Sequence, residues 1–382
     1  MEPHFSRGAF LFWMKLNFMR FGFETDFEGG AQRCARRLRI AAESLAALAL
    51  LSFPAGAQGA QATAPPPAQT NAENPKPRAL LVVEDDWGRR VEIPQPVRRI
   101  VSLAPSATET VYALGLQDRL VADTDFCDFP PEAKKLPKVG GPFTPNLEVV
   151  VSLKPDVVLL AGNSANRKET ADALDLLHVP AYATNAKTID DVLASIARLG
   201  EVLGAAEQGK ALTDSLRARL VELRRKLGVA PPARVLFVVW QDPLISIGQE
   251  TYIADALRWA DAESVIETKL DWPHVSLEEV VHLQPDYLVF ASDHPEEVTS
   301  ILTGLRKLPG WRDLKALQEN RVAIVSEAIN RPAPRIVDAI EDVARQLHPE
   351  IFAESPHASL PRRTHEGRSP ARQAATPAEA NP

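Results

Sequence analysis

The side chains able to do chemistry in this sequence are few and scattered. His178, His274, His282 and His294 never fall at His-x-x-x-His or comparable spacing, so no helix turn brings two imidazoles to one metal ion. Cys127-Asp128 has no identifiable base partner, no Gly-x-Ser-x-Gly elbow occurs, and Ser102 and Ser106 belong to a strand and a helix start. The cysteines are Cys34 and Cys127, so no pair forms a disulfide framework, and Cys127 reads as a lone buried thiol. These features speak against a side-chain metal site and against catalysis. What remains is a set of loop aromatics, Phe126, Phe143, Trp240 and Trp272, with Asp242, Glu327 and Arg331 as charged neighbours. Rings supply apolar walls and the charges supply placed hydrogen-bond partners, which is the chemistry of recognition.

The loops that carry these residues follow strands of a duplicated architecture. The stretch "NLEVVVSLKPDVVLLA" (Asn146 to Ala161) returns as "SLEEVVHLQPDYLVFA" (Ser276 to Ala291), with Leu147/Leu277, Glu148/Glu278, Pro155/Pro285 and Asp156/Asp286 identical. Each copy predicts a short helix, a Pro-Asp stop and a strand. Asn146 or Thr144 is the expected N-cap of the first helix and Ser276 of the second, and proline ends both because its ring clashes with the preceding turn. "VVLLA" and "YLVFA" are continuously apolar, as strands covered on both faces of a parallel sheet are. A single long-range repeat implies two lobes rather than a solenoid. In open α/β sheets ligands bind beyond the carboxyl ends of the strands. There the first lobe offers the "APSAT" turn, Phe126 to Phe129 and "GPFTPN", and the second offers Trp240 to Asp242, "DWPH" and "EAINR".

The first lobe is expected to open with a hairpin turning at "DWGR", followed by a strand at Ile100 to Leu103 and a helix begun by a Ser106/Glu109 capping box. Further strands are expected at "RLVADT" and "VPAYAT" in the first lobe, and at "RVLFVVW" and "RVAIVS" in the second, which also has a helix from about Tyr252 to Trp259. Between the lobes Leu212, Leu216, Leu220, Leu223 and Leu227 form one helical stripe. At 1.5 Å per residue that helix, from Ala205 to Leu227, spans roughly 35 Å, about the width of a domain. The fold class is therefore α/β: two lobes with parallel-rich sheets, joined by a single long backbone helix, with a ligand cleft between them.

The boundaries follow composition. Residues 1–57 read as a secretory leader with an N-terminal extension: "RCARRLR" precedes the apolar "SLAALALLSF" and then the small residues "PAGAQ". Residues 58–79 are a Pro/Ala-rich spacer, 80–187 the N-terminal lobe, 188–228 linker helices, 229–353 the C-terminal lobe and 354–382 a polar, Pro-rich tail. The chain has 43 basic against 50 acidic residues, a net charge of −7, which disfavours nucleic acid as a partner. The expected body is soluble, secreted and monomeric.

"RIVSLAPSATE", "DFCDFPPEAKKLPKVGG", "NLEVVVSLKPDVV", "DWPHVSLEEV" and "RPAPRIVDA", in that order around a long linker helix, resemble the periplasmic solute-binding proteins of ABC importers for cobalamin and iron chelates. Within that superfamily they look most like the cobalamin-binding branch. The resemblance covers about Leu80 to Phe352. It implies two Rossmann-like lobes, no catalytic cofactor, cobalamin or a related corrinoid as the transported ligand, and permease subunits as partners in the periplasm. Phe126 and Phe143 match aromatic positions of that branch, and Trp272-Pro273 matches a Trp-Pro pair at the pocket edge. Glu148 and Glu278 match the glutamates, one per lobe, that dock with permease arginines, the repeat favouring Glu278 over Glu279. Haem or a ferric siderophore is the alternative ligand: haem calls for an axial Tyr or His, and an anionic siderophore for several cleft arginines. A secreted hydrolase or redox enzyme on a similar fold is the alternative of another class.

Overall fold

The computed structural model describes residues 78–162, 166–228 and 231–353. The expected leader, the spacer up to residue 77 and the tail from residue 354 lie outside the described residues. The first described residue, Arg78, already belongs to the fold, ahead of the expected boundary at residue 80. Its guanidinium pairs with Asp156, and Ala79 is already in register with Gln95. The entrance is an antiparallel hairpin of β1 (Ala79–Glu84) and β2 (Arg90–Gln95). Its turn is organised by buried Asp85, which accepts from the backbone N–H of Trp87 and Arg89 at 3.0 and 2.9 Å.

The first lobe holds β3 (Ile100–Ser102), β4 (Leu120–Ala122), β5 (Val157–Ala161) and β6 (Ala181–Thr184) in the order β4-β3-β5-β6, every pairing parallel. The second lobe holds β7 (Ala233–Val238), β10 (Ala262–Ser264), β11 (Tyr287–Ala291) and β12 (Val322–Val325) in the order β10-β7-β11-β12, again parallel throughout. A small antiparallel hairpin, β8 (Trp240–Gln241) and β9 (Leu244–Ile245), leaves the end of β7. In both sheets the second strand of the lobe lies at one edge and the fourth at the other, so the duplication seen in the residues is a duplication of topology. All five residues of β5 are buried, as the continuous apolar run requires when both faces are covered. The edge strand β10 is not among the expected strands, because "AES" carries no apolar period. It is fixed by its neighbour instead, through Val265 N–H to the Val235 carbonyl at 2.9 Å.

The repeated Pro-Asp has a structural role in each lobe. The residues before proline, Lys154 and Gln284, adopt left-handed backbone (φ 47° and 43°) and end the helices Leu147–Ser152 and Leu277–Leu283. Asp156 then clamps the start of β3, one carboxylate oxygen accepting from Arg98 N and Arg99 N at 2.7 and 3.0 Å. Asp286 holds the start of β7 in the same way, through Arg234 N at 3.1 Å. Of the expected caps, Asn146 accepts from Val149 N at 3.1 Å, whereas Ser276 occupies the N-cap position without a side-chain bond.

The long helix runs Ala206–Leu227, within a residue of the expected start, and Leu216, Leu220, Leu223 and Leu227 are buried along its stripe. It does not act alone. The helix Ile189–Val202, opened by a reciprocal Thr188/Asp191 capping box, packs against it after a reversal at Gly204 (φ 73°). The crossing is close: a Cβ on Gly200 would lie 2.9 Å from the Ala205 carbonyl oxygen and 3.0 Å from the Gly209 Cα. Along Ile189–Val202, Ile189, Val192, Leu193 and Ile196 enter the core of the second lobe, whereas Leu199 and Val202 enter that of the first. Both helices are thus shared by the two cores, the shorter through these buried residues and the longer through half-buried Leu212.

Candidate functional site

Loops at the carboxyl ends of the two sheets meet across the lobe boundary, and the local sequence fixes each of them. In the first lobe, Pro105 sits at the start of the helix Pro105–Ala113 and leaves Ala104 as its N-cap, with no side-chain cap bond. The expected Ser106/Glu109 capping box therefore does not form. Ser106 lies inside the first turn, and Glu109 is turned to partners in the other lobe. Beyond β4, the segment Asp123 to Pro130 is anchored at two points. Lys138 Nζ donates to buried Asp123 at 2.7 Å, and Thr108 Oγ1 lies 3.1 Å from the Cys127 sulfur. Cys127 is the buried thiol the sequence implies, and burial with the nearby Asp123 charge pushes its pKa up. Between and beyond these anchors the loop presents half-buried Phe126, half-buried Asp128 and exposed Phe129. The loop carrying half-buried Phe143 is closed by a Gly140–Pro145 bridge and pinned by buried Asn166, which donates to the Pro142 carbonyl at 2.8 Å.

In the second lobe, Trp240 is half-buried and donates its Nε1–H to the Asp242 carbonyl at 2.6 Å, which stiffens the β8–β9 turn and leaves the Asp242 side chain exposed. Trp272 is half-buried, packs on the second-lobe core and stands beside Tyr252, Ala186 and Lys187. Pro273 is buried, and its carbonyl accepts from Ser246 N at 3.1 Å, so it positions Trp272 instead of offering surface. After β12, a 3-10 turn Glu327–Asn330 and "RPAPR" bring Arg331 and Arg335 to the boundary.

There the two lobes are tied by charge. Arg331 Nη1 lies 2.8 Å from Glu109 Oε1 and 2.7 Å from Asp128 Oδ1. Arg335 binds the same Glu109 with two parallel bonds, and its guanidinium carbon stands 3.5 Å over the Phe129 ring. A second tie joins Lys187 to Asp271 at 3.1 Å, next to Trp272. Burial pushes the Asp128 carboxyl up, but the Arg331 hydrogen bond and charge outweigh it and hold the group below the usual carboxylate range. Glu327 is raised, first by burial and then by the Asp293 charge, with Arg331 opposing. Among the sequence-derived site residues, the structure brings Glu327 and Arg331 together with Asp128 and Glu109. Arg331, read as a ligand contact, is engaged between lobes.

Glu109, Asp128, Phe129 and Arg335 are not among the site residues expected from the sequence. The available signal was the pair of arginines in "RPAPR". Arg335 stands at the N-cap of the helix Ile336–Leu347, where the helix dipole is unfavourable to a cation, so a counter-charge had to come from elsewhere. Among the described residues no cluster of three or more His, Cys, Asp and Glu side chains could hold a metal ion, and no helix is long and apolar enough to cross a membrane.

Two parallel sheets of identical order, facing loops at their carboxyl ends and a helical connection define a two-lobed ligand-binding protein. The sequence profile described as periplasmic binding protein matches residues 100–328, and the chain belongs to that family. It is 32% identical over 256 residues to the vitamin B12-binding protein of Vibrio cholerae serotype O1, covering 66% of this chain and 90% of the relative. It is also 29% identical to an ABC transporter substrate-binding lipoprotein of Bacillus subtilis, uncharacterized YvrC, over 72% of this chain and 87% of the relative. Among solved structures it resembles periplasmic vitamin B12 binding protein BtuF of Vibrio cholerae, with a TM-score of 0.59 and 29% identity, covering 68% of this chain and 99% of that one. The apo periplasmic heme-binding protein RhuT from Roseiflexus sp. RS-1 matches with a TM-score of 0.59 and 25% identity, over 67% and 99% of the two chains.

Proposed function

We propose that this protein captures cobalamin or a related corrinoid between its lobes and delivers it to the permease of an ABC importer. The observation that carries this reading is the 32% identity to a vitamin B12-binding protein across 90% of that relative. The composition of the facing loops supports it. A corrin is a broad, partly apolar plate fringed with amides, suited to half-exposed rings such as Phe126, Phe143, Trp240 and Trp272 and to polar groups such as Asp242 and Glu327. Haem held by tyrosine is disfavoured by where the tyrosines lie. Tyr182 and Tyr252 are buried, Tyr112 is on the helix Pro105–Ala113, and Tyr287 begins β11 at its amino end.

The protein works as a carrier, without turnover and without a catalytic cofactor. It is exported through a leader within residues 1–57 and acts in the periplasm as a monomer. Glu148 and Glu278 are exposed second residues of the two duplicated helices, and they meet basic residues of the permease. Colour tests the ligand. Purified from a host supplied with cobalamin and haem, the protein should elute with corrin absorbance. Elution with haem absorbance would reverse the assignment, and substrate turnover by pigment-free protein would replace it with an enzyme.

A further inference from the structure

We propose that Glu109 sets the charge selectivity of the cleft: by cancelling Arg331 and Arg335 it leaves a surface that admits an uncharged, amide-fringed ligand and turns away one fringed with carboxylates. This deepens the corrinoid reading and rests on it. Two arginines brought to a lobe boundary are, by themselves, a carboxylate-binding fork. Here that capacity is already used. The Glu109 side chain is 2% exposed, and its oxygens receive both nitrogens of one Arg335 edge and Nη1 of Arg331. Asp128 takes a further share of Arg331, and the Phe129 ring covers a face of Arg335. Glu327 and Asp293 add acidic groups on the same side, Asp293 holding the turn through Ser326 Oγ and Glu327 N at 2.8 and 3.0 Å. The other titratable neighbours are Lys134, whose charge reaches Asp128, Tyr252 near Arg331, and His294, 3.2 Å from Glu296.

The sum is a wall with no net positive charge. An incoming carboxylate would have to displace a buried carboxylate from a two-bond pair, whereas an amide needs no counter-ion. Low local dielectric makes the discrimination steep, because an unbalanced charge is poorly screened at such a site. Glu109→Gln keeps the shape and removes the charge, so the two arginines are left to seek an anion.

The test compares ligands that differ in charge and little else: cyanocobalamin against its ring monocarboxylates, in which one peripheral amide is hydrolysed, and haem dimethyl ester against haemin. Wild type should favour the uncharged member of the pair it binds. For the most disfavoured acid, Glu109→Gln should narrow that affinity gap at least tenfold. A narrower shift for every acid overturns the proposal. Asp128→Asn, at a half-exposed position, should narrow the gap in the same direction, and its result decides the question where Glu109→Gln does not fold. Should wild type bind neither cobalamin compound yet favour the haem ester over haemin, with the gap closing in Glu109→Gln, the corrinoid reading falls and the charge rule stands.

Discussion

Both carboxylate oxygens of Glu109 are held by Arg335, a residue of the opposite lobe, at 2.8 and 2.9 Å. The pair is buried on the Glu109 side and lies outside the helical connection, so the lobes are joined both by packing through that connection and by charge at their boundary.

Removing one partner of such a pair should be costly. Glu109→Ala leaves Arg331 and Arg335 near each other without a buried counter-charge, and losses of about 3–5 kcal/mol are typical of broken buried pairs. Denaturant unfolding should show that loss, and the Glu109→Ala/Arg335→Ala double variant should lose less than the sum of the single changes. Strict additivity would mean that the contact contributes no coupling.

The helix crossing makes an independent prediction. Gly200→Ala places a methyl group against the Ala205 carbonyl and the Gly209 backbone, so the two helices must separate. Melting temperature should fall by several degrees, as expected for a loss of about 1–3 kcal/mol by overpacking. Gly304→Ala, where a Cβ meets nothing within 4 Å, should leave the melting temperature unchanged or raise it slightly. Equal effects at both sites would mean that the helices do not cross as closely as described.

A pH dependence follows from Asp123. Its pKa is pushed up to about 6, chiefly by burial, with Lys138 opposing. An acid whose folded pKa exceeds its unfolded value, about 3.9, favours the fold when protonated. Its contribution is present below about pH 4 and is lost as pH rises through about 6. Asp123→Asn should therefore gain melting temperature relative to wild type between pH 4 and pH 7. A difference that is flat, or that moves the other way, would contradict the assignment.

Glu148 and Glu278 are exposed and form no ion pair among the described residues. Reversing both to lysine should leave ligand affinity within about twofold and abolish uptake through the cognate permease, because rim charges govern register and encounter more than the distant pocket. Unchanged uptake would remove these residues from the docking surface.

Much of the fold was legible because both lobes repeat one local grammar. Continuous apolar runs gave β5 and β11, Pro-Asp gave two helix stops, and the leucine stripe placed the long helix to within a residue. The strand β10 was not legible, since "AES" has no pattern and is placed by its pairing with β7 and by Ala262 in the core. The role of Glu109 was hidden for a related reason. Ser-x-x-Glu satisfies a local capping rule, but Pro105 moves the cap to Ala104, and the partners of Glu109 lie 222 and 226 positions away. Local spacing shows which loops carry rings. It does not show which charges meet across a boundary, and the site was legible to that extent.

Trp272 is half-buried on the second-lobe core, beside the Lys187–Asp271 tie. Calorimetric titration of wild type and Trp272→Ala with cyanocobalamin tests corrinoid capture between the lobes most directly. Saturable binding at one ligand per chain, weakened at least tenfold by Trp272→Ala, is the predicted result. Absence of cyanocobalamin binding by folded wild-type protein, alongside saturable binding of haemin, would contradict it.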